Sequence, residues 1–180
     1  MTSHKGKLLV ATPTLVDPNF HRTVVLLLEH NDEGAAGVVL NRPTDAELGG
    51  PLERWAPLAA RPPVVFVGGP VQPDAAVCVA SATIDVDGFT PAFARLGTFD
   101  LSKPPDGATG LDRIRVFAGY AGWDEGQLED EIEQGAWYVL DADPEDAFTT
   151  VPDDLWRFVL RRQGGDLSLV ANFPIDPSMN

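Results

Sequence analysis

The stretch TVVLLLEHNDEGAAGVVLN, residues 23–41, decides the fold class. Residues 23–30 are β-branched and aliphatic, and long enough for a central strand. Residues 31–35 read as a loop in which Gly34 is free to take positive φ. A second strand, 37–41, follows and is stopped by Pro43. The two are expected to pair as a hairpin.

Working outward, residues 8–11 form a short apolar run stopped by Pro13, and DPNF at 17–20 is a turn signal. Residues 64–67 and 76–80 read as further strands. The glycine- and proline-rich stretch 83–110 reads as loops with a strand near 98–101. Residues 113–120 form another strand, with Ile114, Val116 and Ala118 on one face and Arg113, Arg115 and Phe117 on the other. A short helix is expected at 51–58, a helix at 125–134 and a returning strand at 136–141. In the helix at 152–163, Leu155, Trp156, Val159 and Leu160 make one apolar stripe. Its acids come first and Arg161 and Arg162 last, as the helix dipole favours, and Gly164 and Gly165 stop it. Strands and helices alternate without repeats. The expectation is one α/β domain over residues 1–180 with a mixed sheet, residues 1–6 being a mobile N-terminus.

The chain has 180 residues, 44% of them apolar, and a net charge of −14. Residues 120–156 hold 12 Asp or Glu and no Lys or Arg. That balance speaks against direct DNA binding, which depends on basic side chains neutralising phosphates, and reads as a solvated acidic surface. Cys78 is the only cysteine, so no intrachain disulfide forms. It sits in an apolar strand as a small buried hydrophobe, consistent with a reducing compartment. Neither a secretory leader nor an apolar run long enough to span a membrane is apparent, so the expectation is a cytoplasmic protein without membrane contact.

Residues 119–131, GYAGWDEGQLEDE, resemble a glycine loop leading into a helix. A phosphate loop fails on charge. Helix-end amides favour an anion by roughly 0.3–1 kcal/mol, whereas an anion about 5 Å from the Asp124 or Glu125 carboxylate costs about 3 kcal/mol at an effective dielectric of ~20. The local reading is a sharp turn at Gly119 and Gly122, with Asp124 as N-cap and Gln127 reaching back to complete a capping box. Tyr120 and Trp123 then project from the turn, either into the core or as the wall of a ligand site.

No serine-nucleophile turn is present, and His4, His21, His30 and Cys78 do not have the spacing of a metal site. The best polar constellation lies at strand ends. A hairpin brings Arg22 to Asn41 and Arg42, which can hold an anion or a carboxylate. It leaves His30, able to change charge near neutral pH, at the other end. The ordinary alternative is that the arginines bridge to acids and Asn41 bonds a turn. The candidate ligand-binding residues are therefore Arg22, Asn41, Arg42, Tyr120 and Trp123, with no catalytic residue, metal or cofactor assigned.

Several stretches together carry a family resemblance: GKLLVATPTLVDPNFHRTVVLLLEHNDEGAAGVVLNRP (6–43), VVFVGGPVQP (64–73), VFAGYAGWDEGQLEDEIEQGAWYV (116–139), DDLWRFVLRR (153–162) and FPIDPSMN (173–180). In order and content they resemble the YqgE/AlgH family of bacterial proteins, with 83–110 the loosest part. The resemblance implies an α/β fold whose bifurcated sheet curls into a pseudo-barrel, and a cytosolic protein. Some members of that family are described as transcriptional regulators tied to exopolysaccharide production. It supplies no catalytic residues. The expectation is a non-enzymatic domain that binds a small molecule or a protein and influences transcription indirectly. The alternatives are an enzyme acting on a small anionic metabolite through the strand-end residues, and a direct nucleic-acid binder, which the charge disfavours.

Overall fold

The hairpin forms as its sequence requires. In the computed structural model, which describes residues 2–103 and 110–174, strands β2 (Val24–Asn31) and β3 (Gly34–Val39) pair antiparallel around a tight turn. Strand β1 (Lys7–Ala11) joins the other side of β2. Both faces of this layer are buried. Leu8, Val10, Val24, Leu26 and Val38 enter one core; Leu9, Ala11, Val25, Leu27 and Val39 enter another. Double burial explains why these strands are continuously apolar rather than alternating.

The remaining strands are β4 (Pro43–Glu47), β5 (Val64–Val67), β6 (Val71–Ala82), β7 (Phe89–Phe93), β8 (Leu96–Phe99), β9 (Leu111–Asp124) and β10 (Trp137–Asp141). The sheet runs β10-β1-β2-β3-β9-β6-β8-β7. It bifurcates at β9. One side of β9 pairs with β6, while the other pairs with β3 near its end and, further back, with β5 in parallel, which carries β4. The result is a mixed, bifurcated sheet curled into a half-barrel. At its seam Phe93 of β7 lies so close to Gly6 that a Cβ there would sit 2.9 Å from the Phe93 Cβ.

Helix α2 (Leu155–Gln163) lays Leu155, Trp156, Val159 and Leu160 into the first core, the stripe expected from sequence. Helix α1 (Gln127–Glu133) covers the second core with Leu128. A third core forms where a 3-10 segment, Gly50–Leu58, inserts Trp55 against Cys78, Phe99 and Ile114. Cys78 is buried there, and desolvation pushes its thiol up to about 12. Among the described residues no helix is long and apolar enough to cross a membrane.

Three local expectations are corrected. First, no turn occurs at 119–122. Strand β9 continues to Asp124, because Gly34–Gly37 of β3 supply hydrogen-bonding partners to 121–124. Gly119 (φ +72°) instead lies opposite a register shift in β6, whose residues 72–75 are the extra ones between the pairing of Val71 with Tyr120 and that of Ala76 with Ala118. The parity of facing changes at this positive-φ glycine, so Phe117 and Tyr120 share one core while Val116 and Ala121 point away from it. Helix α1 accordingly starts at Gln127, its N-cap is Gly126 (φ +75°), and Asp124 caps nothing; only the Gln127 half of the expected box exists, Oε1 accepting the Asp124 N–H at 3.0 Å. Second, β6 spans twelve residues, and β7 and β8 form a hairpin where mainly loops were expected, although part of 83–110 lies outside the described residues. Third, Gly164 ends α2, but the chain re-enters a helix at once, α3 (Gly165–Val170). The N-terminal segment makes hydrogen bonds to β2. Ser3 Oγ donates to the His30 carbonyl at 2.9 Å, His4 N–H to His30 Nδ1 at 2.8 Å, and Gly6 N–H to the Leu27 carbonyl at 2.9 Å.

Candidate functional site

The hairpin brings Arg22, Asn41 and Arg42 together at one end, as expected, but all three side chains bond backbone groups. Asn41 Oδ1 accepts the Val24 N–H at 3.0 Å, and its Nδ2 donates to the Arg22 carbonyl at 2.9 Å. The amide thus spans two peptide groups across the strand end, rather than the turn bond expected. Arg42 donates to the carbonyls of Pro18 (2.8 Å), Asn19 (2.8 Å) and His21 (3.2 Å), wrapping the loop before β2; burial lowers its pKa. Among the described residues these arginines form no carboxylate bridge; peptide oxygens take that place. Replacing Asn41 by alanine is expected to strand both peptide partners and cost about 2–3 kcal/mol, read as a lower urea midpoint at unchanged m-value.

Arg22 stands apart. It is a non-glycine residue at φ +56°, its Nη1 donates to the Phe173 carbonyl at 3.0 Å, and its guanidinium lies 3.9 Å from the Trp156 ring centroid.

Tyr120 and Trp123 occupy the far part of β9. Trp123 is buried in an aromatic group with Phe20 and Trp137. Glu131 Oε1 accepts both indole N–H groups, Trp123 and Trp137, each at 3.1 Å, and its Oε2 accepts from Gln127 at 3.0 Å. Tyr120 packs, half-buried, against the first core. Both residues also line an open cleft of about 560 Å³ between the β2–β3 tip and the end of β9, together with Glu29, Glu33, Asp124 and Val71, although the Trp123 ring itself is turned into the core. Arg42 lines a different cleft of about 220 Å³, beside Val39 and Val67. The five candidates therefore divide into separate places and do not surround one ligand.

Two polar arrangements escaped the sequence. His30 is buried, and its Nδ1 accepts the His4 N–H, so the ring proton resides on Nε2 and is donated to Glu129 Oε1 at 2.5 Å. That hydrogen bond holds the Glu129 carboxyl below its usual range. The His4 ring stacks on His30 with centroids 5.4 Å apart, and burial lowers the His4 pKa. Residues 30 and 129 lie too far apart in the chain for any local pattern to link them. The second arrangement is Arg115, sunk in the core and bonded to three peptide carbonyls. Among the described residues no cluster of three or more His, Cys, Asp or Glu could hold a metal ion.

A curled, bifurcated sheet with helices on its faces, and polar strand ends largely turned to structural use, defines a class of half-barrel α/β proteins. The chain belongs to the AlgH-like family, whose profile matches residues 8–168. It is 51% identical to the UPF0301 protein SCO2948 of Streptomyces coelicolor, over all of this chain and 97% of the relative. A UPF0301 protein of Thermobifida fusca is 48% identical, covering 97% of this chain and 94% of the relative. The crystal structure of protein DIP2367 from Corynebacterium diphtheriae superposes with a TM-score of 0.89 at 32% identity, covering 96% of this chain and 94% of the other. The solution structure of the AlgH protein from Pseudomonas aeruginosa gives 0.72 at 33% identity and 96% coverage of both. These findings bear out the resemblance read from the motifs and the fold class it implied.

Proposed function

We propose that the chain is a non-enzymatic binding domain of the cytoplasm that takes its ligand or partner segment in the cleft edged by Tyr120 and Trp123. The observation that carries this reading is the cleft itself: about 560 Å³ of open space lined by Tyr120 and the backbone stretch to Asp124, with the acidic residues Glu29, Glu33 and Asp124 around it. Such a lining suits a partner that offers cationic or hydrogen-bond-donating groups next to an apolar surface. An influence on transcription would run through that partner, since a net charge of −14 opposes contact with a polyanion. The enzyme reading needs Arg22, Asn41 and Arg42 to face Tyr120 and Trp123, and their separation argues against it.

The test is a thermal-shift screen against metabolites, nucleotides and cationic peptides, repeated on Tyr120→Ala. A ligand at 100 times its dissociation constant adds about 2.7 kcal/mol to stability. The expected result is a stabilising ligand whose effect falls in the variant and whose amide shift changes map to residues 29–36 and 120–127. Stabilisation by DNA that weakens with salt, or hits whose shifts map elsewhere, would overturn the proposal.

A further inference from the structure

Arg22 is built into its position with unusual care for a surface cation. Its backbone takes a left-handed conformation that side chains other than glycine seldom adopt, and strain of this kind persists only where the surroundings impose it. Here Asn41 imposes it, gripping the Arg22 carbonyl and the Val24 N–H from the neighbouring strand end. The guanidinium is then laid on the ring of the buried Trp156, and one of its five N–H groups is anchored on the Phe173 carbonyl. The flat cation is thereby held in one orientation, with donors left over.

Its neighbour is a second cation. Arg157 follows Trp156 in the first turn of α2 and is half-buried. The two charges oppose each other: burial, then Arg157, depresses the Arg22 pKa. In a chain with 27 carboxylate side chains, such a pair would be expected to collect one. Arg113 and Arg162 do so, on Glu145 and Asp146. Among the described residues neither Arg22 nor Arg157 has a carboxylate within 4.0 Å. Arg42, though close in sequence to Asn41, is spent on loop carbonyls and does not contribute.

We infer that Arg22 and Arg157 form a binding site for an oxyanion, the carboxylate or phosphate group of a small molecule, on the α2 side of the half-barrel. The oxyanion relieves the repulsion between the two guanidiniums and takes charge-assisted hydrogen bonds from the donors left free. This site is independent of the cleft beside Tyr120, and the two proposals stand or fall separately.

The Trp156 indole N–H is a fixed reporter, since it donates to the Ala11 carbonyl at 2.9 Å directly beneath Arg22. Inorganic phosphate and succinate are titrated into the full chain at constant ionic strength, with sodium chloride as control, while indole and arginine side-chain N–H resonances are followed by NMR. A saturable shift of the Trp156 and Arg22 signals is expected, with a dissociation constant of about 1 mM or tighter for at least one probe. The two probes distinguish a phosphate from a carboxylate preference. Arg22→Gln and Arg157→Gln should each weaken binding about tenfold, whereas Arg54→Gln, on the 3-10 segment, should leave it unchanged. Arg157→Gln alters only a partly exposed helix side chain and keeps the test valid should Arg22→Gln disturb the fold. Linear shifts matched by chloride, or saturable binding that survives Arg157→Gln, would overturn the inference.

Discussion

Arg115→Ala is expected to cost about 3–5 kcal/mol of stability, because it removes a buried cation on which three peptide carbonyls depend. Arg115 lies on β9 and is 2% exposed. Nη1 donates to the carbonyls of Thr149 (2.8 Å) and Ala147 (3.3 Å), and Nη2 to that of Arg61 (2.8 Å). Its plane rests 4.3 Å from the Phe66 ring centroid. One side chain thus ties β9 to the segment before β5 and to the loop after β10. The arrangement is tight but electrostatically costly. Among the described residues no carboxylate neutralises the charge and Nε has no partner, and burial, followed by repulsion from Arg113, lowers the pKa to about 10. Alanine would leave a cavity and three unbonded carbonyls. Arg115→Met fills much of the volume but still orphans the carbonyls, so its cost should fall between wild type and alanine. Urea denaturation of the three proteins checks the ranking. A methionine variant as stable as wild type would mean that the carbonyls readily find other partners.

Gly69→Ala should be at least as damaging, at roughly 3 kcal/mol or more, and is expected to reduce the yield of folded protein. Gly69 sits at φ +154°, where a Cβ would lie 2.2 Å from the Tyr120 carbonyl carbon and 2.4 Å from the Ala121 nitrogen. These are backbone atoms of β9 and cannot rotate aside. Across from it, a Cβ on Gly119 would sit 2.6 Å from the Gly69 oxygen, so two glycines face each other where the link between β5 and β6 presses on β9. Gly126→Ala is the matched control: its φ is also positive, at +75°, but no atom lies within 4 Å of the added methyl. It should cost only about 1 kcal/mol, the backbone component alone. Circular dichroism melts of the two variants separate the components; equal losses would mean that close approach is unimportant at Gly69.

Much of this architecture was legible in the sequence because it follows from local pattern. The 23–41 hairpin, the first strand and the α2 stripe are each set by residues within a few positions of one another. The reading of 119–124 failed because glycines signal a turn locally, whereas the strand is completed by partners at residues 34–37. At the candidate site, sequence position correctly brought Arg22 to Asn41 and Arg42. It could not show what their donors bind, because a peptide carbonyl has the same chemistry at every residue. Trp123 was singled out for its type and place, but its indole N–H is fixed by Glu131, which nothing in the local pattern marked. His30 and Glu129, separated by 99 positions, meet only once α1 docks on the hairpin.

The branching of the sheet at β9 also bears on how the chain is made. Strands β3, β5 and β6 all take β9 as a neighbour, and β9 begins only at Leu111. A nascent chain paused before that residue holds apolar strands whose central partner has not yet been synthesised. Long-range pairing of this kind slows folding and exposes aggregation-prone edges. Ribosome-bound fragments ending short of Asp124 should therefore be chaperone clients, and release of that dependence should coincide with emergence of the last residues of β9 from the exit tunnel.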